Sequence, residues 1–191
     1  MRYGKDIAPV IPQKDIVIGD PAAPVTLEEF GDYESVECAQ AAEVVKEILE
    51  KYDGRVKFIF RHFPLTSVHQ KAHKAAEAAI GAAQEGRFWE MHHTLFDNRR
   101  NLGTISLKSY ARESGVTNKR YLDELINSTW GVHVQDDLRE GLERGVRNIP
   151  TFFVNDVLFE GPATVKALSA VIDMALAEEE RFAAVPKKKR A

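Results

Sequence analysis

The chain of 191 residues has one cysteine, Cys38, and a serine, Ser35, stands three positions before it. If a helix begins there, that offset puts both side chains on one face of its first turn, where unpaired amides and the helix dipole favour an anion. A thiol at such a point is activated as a nucleophilic thiolate, and a second thiol three residues on can resolve the mixed disulfide it forms. Here one thiol is present, that of Cys38. A serine hydroxyl is too weak an acid to attack at neutral pH without a base, and no histidine adjoins Ser35 in sequence. Its plainer role is to cap the helix by accepting an amide hydrogen two or three residues on, worth about 1 kcal/mol. Glu34 and Glu37 oppose ionisation of Cys38 by like charge, so the competing reading of that residue is an inert buried thiol.

Other groups could carry chemistry. His69 and His73 share one helical face at i and i+4, and His92 and His93 are adjacent. No carboxylate completes a recognisable ligand motif with either pair, and no metal is expected. Ile149-Pro150-Thr151 opens a strand-like run and could present the Ile149 backbone to an extended peptide as a short added strand. The alternative is a proline that only starts a strand. The basic run Lys187 to Arg190 reads as a solvated tail.

The elements that must hold these residues follow from periodicity. Val25 to Phe30 is a short apolar strand, Gly31-Asp32-Tyr33-Glu34 is a turn, and Val36 to Tyr52 presents Ala41, Val44, Val45, Ile48 and Leu49 as a helical stripe. Gly54 is its stop, and Arg55 to Phe60 is a second strand, so strand-helix-strand predicts a right-handed parallel unit. From Ser67 to about Gly145 the pattern is helical, with five segments and no strand. Thr151 to Val154 and Val157 to Phe159 flank Asn155-Asp156 as a hairpin, and a last helix runs from about Ala163 to Arg181. Asp15 to Ile18 is a short edge strand. One domain over 14–182 is predicted, with a helical insertion over about 67–145, a mobile arm at 1–13 and a basic tail at 183–191.

At FGDYESVECAQA the sequence resembles the active-site segment of the DsbA-like branch of the thioredoxin superfamily, which carries Cys-Pro-x-Cys after an aromatic-Gly-Asp-aromatic-Glu lead-in. RHFPLTSVHQKAHKAAEAA and GVRNIPTFFVNDVLFEGP resemble that family's post-strand segment and its cis-proline hairpin. The resemblance covers nearly the whole chain and implies an α/β thioredoxin fold, a central mixed sheet with an all-helical insertion. It puts Ser35 at the nucleophile's position and Cys38 at the resolver's, a degenerate site of monothiol character or without dithiol activity. It makes the Ile149–Pro150 bond cis, and it assigns Tyr33, Ile149, Pro150 and Thr151 to substrate binding.

Three functions compete. The first is a DsbA-like oxidoreductase relative acting on peptide or protein thiols through Cys38 alone, or silent. The second is a glutathione-dependent transferase or isomerase of the kappa type, whose fold is similar and in which a serine such as Ser35 would hydrogen-bond a glutathione thiolate. The third is a peptide-binding module without chemistry. No cofactor is required, glutathione excepted in the second reading.

Hydrophobic residues at 44% and charged residues at 29% are ordinary globular values. No apolar run approaches the roughly 20 residues that cross a bilayer, so a soluble chain is expected. A net charge of −3 and a pI near 6.1 give no general attraction to nucleic acid or anionic membrane. One cysteine excludes an internal disulfide. Asp6, Pro9 and Pro12 interrupt any signal-peptide core in the first residues, which predicts the cytoplasm, or an extracytoplasmic space if a leader was removed upstream.

Overall fold

A computed structural model describes residues 16–184. The mobile arm expected at 1–13 and the tail from 185 onward lie outside the described residues.

The strand expected first is β2, Val25–Gly31, and it is buried along nearly its whole length, with only Thr26 partly open. β3, Val56–His62, runs parallel to it in the register Leu27 to Phe58, Glu29 to Phe60 and Gly31 to His62. Between them lies α1, Val36–Lys51, with Cys38, Ala41, Val45 and Ile48 inward, which completes the expected parallel unit. Gly54, with φ of +69°, ends the helix connection in the left-handed region that a side chain disfavours. β1, Val17–Ile18, joins the outer edge of β3 antiparallel. At the other side β4, Thr151–Val154, pairs antiparallel with β2, and β5, Val157–Leu158, with β4. The hairpin is the expected one, its two central residues Asn155 and Asp156 both at positive φ. The result is a mixed sheet of order β1-β3-β2-β4-β5.

The insertion between β3 and β4 has the five expected helices: α2, Ala72–Ala83; α3, Phe88–Asp97; α4, Thr104–Glu113; α5, Tyr121–Ile126; and α6, Gly131–Glu143. α2 starts at Ala72, four residues after Val68, where the helical pattern of this segment begins in the sequence, since the preceding turn is held by distant partners. Asp32 accepts hydrogen bonds from the Leu65 amide and His69 Nδ1, and the Glu34 carboxylate accepts one from the Lys71 amide. The closing helix α7, Val165–Ala184, runs past Arg181, so residues 183 and 184 belong to it rather than to the tail. Its Leu168, Ile172 and Leu176 pack into the same core as Leu27, Ala41 and Ile48.

A second, smaller core of Phe30, Phe63, Val146 and Phe153 lies with α6. Next to it Arg61, buried on β3, donates to Asp137 at 2.8 Å, to Glu28 at 3.1 Å and to Glu140. Arg144 stacks over Phe153 at 4.0 Å and also pairs with Glu28. These charges fasten α6 to β2 and β3, so the loop that leads from α6 to Pro150 departs from a fixed place.

Candidate functional site

The lead-in to α1 is built by close approach. A Cβ on Gly31 would meet the Phe60 ring at 2.5 Å and a Glu29 carboxylate oxygen at 2.9 Å, so no larger residue fits there. Asp32, itself buried, accepts from the Glu34 amide at 2.8 Å as well as from Leu65 and His69. This knot fixes the turn and delivers Ser35 in extended geometry at the helix N-cap. Ser35 Oγ accepts from the Cys38 amide at 3.1 Å, the capping bond the sequence predicts, and donates its proton to Glu37 Oε2 at 3.0 Å. Only 2% of Ser35 is exposed. Its own backbone amide and the Ser35 hydroxyl hold the Glu37 carboxyl below the usual carboxylate range.

Cys38 is 0% exposed. Burial pushes its thiol well above the usual range and the charge of Glu29 adds to this, while Ser35 and the Asp32 amide oppose them only in part. The acidic neighbours that act on the sulfur are thus Glu29 and Asp32. Glu34 and Glu37, the two named from the sequence, point their carboxylates to Lys71 and Ser35 instead. A thiol so placed should resist labelling: in the native protein a small disulfide reagent is expected to modify Cys38 more than about 100-fold more slowly than in the denatured chain. Equal rates in the two states would show that the sulfur is accessible.

Glu29 has no counterpart in the sequence reading. It lies on β2 below the helix start, buried, with Oε1 lacking a hydrogen-bond partner, and burial pushes its carboxyl up to about 8. The signal available was an acidic pair, Glu28-Glu29, inside an otherwise apolar strand. Tyr33 departs from its expected role. Its ring is buried between Phe60 at 5.2 Å and Phe96 at 4.9 Å, and its hydroxyl lies 3.1 Å from His92 Nδ1. It faces the core of the insertion and not a ligand.

The histidines do not converge. His69 pairs with Asp32, His73 with Glu77 and His92 with Tyr33, and no cluster of metal-ligating side chains occurs among the described residues.

The Ile149–Pro150 bond is cis, as the resemblance implies. Pro150 and Thr151 open onto a groove of about 670 Å³ whose near wall is Glu37, Gln40 and Ala41 of α1 and whose far wall is Phe159 to Gly161 and Ala163. Arg147 and Asn148 close one end. The Ile149 side chain does not line it but packs against the two cores. The structure therefore brings Pro150 and Thr151 together with the first turns of α1, and leaves Tyr33 and the Cys38 sulfur out. The far wall was not legible in the sequence, since Glu160 to Pro162 fall between the expected hairpin and the last helix and no periodicity turns them or their neighbours towards α1.

A mixed sheet, a helix whose first turn reads Ser-x-x-Cys, a cis proline sharing its groove and an all-helical insertion after β3 define a DsbA-like thioredoxin-fold protein. A family model described as Thioredoxin matches residues 12–174, and the chain belongs to that family. BdbD from Bacillus subtilis in its oxidised form superposes with a TM-score of 0.78 at 24% identity, covering 84% of this chain and 92% of that one. Alpha-DsbA1 of Wolbachia pipientis gives a TM-score of 0.72 at 22% identity, covering 87% and 93%. The chain thus shares the thioredoxin fold of these two structures. The Na(+)/H(+) antiporter NhaA 3 of Salinispora tropica is 38% identical over 171 residues, which make up 90% of this chain and 26% of that protein. The chain spans about a quarter of the length of the curated relatives it matches. Among the described residues no helix is long and apolar enough to cross a membrane.

Proposed function

We propose that this chain keeps the polypeptide groove of a DsbA-like domain without dithiol exchange, and binds extended protein segments beside Pro150 with no redox turnover. One observation carries the reading: the helix start that would hold the attacking sulfur carries a serine already bonded to the Cys38 amide and Glu37, and the remaining sulfur is sealed beneath it. The groove next to it stays open. An extended chain laid there could pair its backbone with the Ile149–Thr151 segment, which confers affinity with little dependence on sequence. The kappa-type alternative is less favoured by the same geometry. A glutathione thiolate needs the Ser35 proton, which Glu37 accepts, and it would have to approach the Glu37 carboxylate.

The test is binding of a permanently unfolded, thiol-free polypeptide such as reduced and carboxymethylated α-lactalbumin, followed by calorimetry and by amide shifts. Shifts are expected at 37–41, 147–151 and 159–163. Gln40→Trp, which sets an indole in the groove from an exposed helix position, should weaken binding about tenfold or more, a loss of about 1.4 kcal/mol. Cys38→Ala should leave the affinity within about twofold, because the sulfur makes no contact with the groove. Shifts confined to the helical insertion, or saturable glutathione binding in place of polypeptide binding, would exclude this function.

A further inference from the structure

The outer edge of the sheet and the flank of α7 carry an apolar surface that meets the groove beside Pro150 at Leu158, Phe159 and Glu160 and extends away from it along α7. α7 has two stripes. Leu168, Ile172 and Leu176 face the core, while Val171, Met174, Ala175 and Phe182 follow a second line at helical spacing on its flank. That second line and β5 wall a cleft of about 830 Å³. Its rims stand far out of the protein: Val157 is 70% exposed, Met174 72% and Phe182 68%. β5 is the end strand of the sheet and pairs only with β4, so its outer edge is unpaired among the described residues.

We propose that this face is the contact between two copies of the chain, related by a two-fold axis. A two-fold operation brings identical edge strands together antiparallel, so β5 can meet its own copy and join the two sheets. The same operation sets the projecting Phe182 and Met174 of one copy against the cleft of the other, because cleft and projections lie on one surface. The rim is mixed in sign: Arg181 stands beside Glu178 and Glu179, and reciprocal contacts can oppose the two signs. Each copy offers on the order of 500 Å² of exposed apolar side chain here, so the contact removes roughly 1,000 Å² in all, the lower bound for a specific interface. Area alone does not set affinity, so a contact at this lower bound is sought over a wide range of concentration.

Sedimentation equilibrium of the full chain over about 1 to 500 μM measures this directly. The mass should rise from 21.5 kDa towards twice that value across the range. Phe182→Glu and Val157→Glu, each at an exposed position, should hold it at the monomer value with the melting temperature little changed. Ile105→Glu, at an equally exposed apolar residue of α4, should leave the dimer intact. A monomer at every concentration overturns the proposal, as does a dimer that survives both cleft substitutions or one that the α4 substitution also abolishes.

Discussion

Replacing Ser35 by cysteine should turn a chain with one thiol into one that reduces insulin at least about 100-fold faster than the native chain, since the exchange step depends on an attacking thiolate that position 35 does not supply. The position is ready for it. Ser35 already sits at the helix N-cap with its side chain turned to residue 38, and a cysteine there lies one helical turn from Cys38, within reach of a disulfide. Under a glutathione buffer the variant should lose both free thiols on oxidation and regain them with dithiothreitol. Loss of the serine cap costs about 1 kcal/mol, and Ser35→Ala controls for this because it removes the cap and adds no sulfur. Glu37 would hold the new thiol back by like charge. The double substitution Ser35→Cys with Glu37→Ala should therefore be faster than Ser35→Cys alone. If the variant keeps two titratable thiols under oxidising conditions, the side chains of 35 and 38 do not meet and the site is misread.

The second large effect concerns Glu29. The unfolded chain releases the proton of a glutamic acid near its ordinary value of 4.5, while in the folded state burial makes this carboxyl hold it up to about 8. Between those values the native state binds more protons than the unfolded one, so stability falls as pH rises. The slope is about 1.4 kcal/mol per pH unit, and over the window the loss sums to about 5 kcal/mol. Glu29→Gln keeps the shape and removes the titration. Urea unfolding should find the variant close to the native protein at about pH 4 and several kcal/mol more stable at about pH 9. His62 works in the opposite sense. Burial lowers its pKa to about 3, so the unfolded chain binds the extra proton between there and 6.5, and stability falls as pH drops through that range. In the native protein the two slopes offset one another between 4.5 and 6.5. In the Gln variant the histidine slope is left without the Glu29 offset; His92, lowered by burial, acts in the same sense as His62, and Asp137, raised by burial to about 6, opposes them. No gain in stability at about pH 9 would mean that the Glu29 charge is already compensated in the fold.

How much of this could be read from the sequence depended on the range of the interactions. β2, α1 and β3 are set by local alternation, a serine cap and a glycine stop, all within thirty-odd residues, and they appear as expected. The Asn155-Asp156 hairpin is likewise local, since only those two residues need positive φ. α2 begins late because Asp32 and Glu34, more than thirty positions earlier, take the amides of Leu65 and Lys71. No window of neighbouring residues carries that information. Glu28 and Glu29 show the same limit more sharply. Adjacent in a strand, they point to opposite faces; one meets Arg61 and Arg144 and the other meets no cation. Tyr33 was assigned to the ligand from its place in the lead-in, but its ring turns towards His92, a partner 59 residues away.

The Asp32 knot has a bearing on where this protein could work. Its three hydrogen bonds, accepted from Glu34, Leu65 and His69, hold the turn that starts α1 without a sulfur in any of them. With two cysteines at this turn, thiol-disulfide exchange would change the helix start covalently, and holding a client would depend on the electron supply. Under the proposed function that tie is cut. Occupancy of the groove would follow client concentration alone, with the same half-saturation point in a reducing or an oxidising compartment, so that the domain behaves as a buffer for unfolded chain and not as a link in an electron relay.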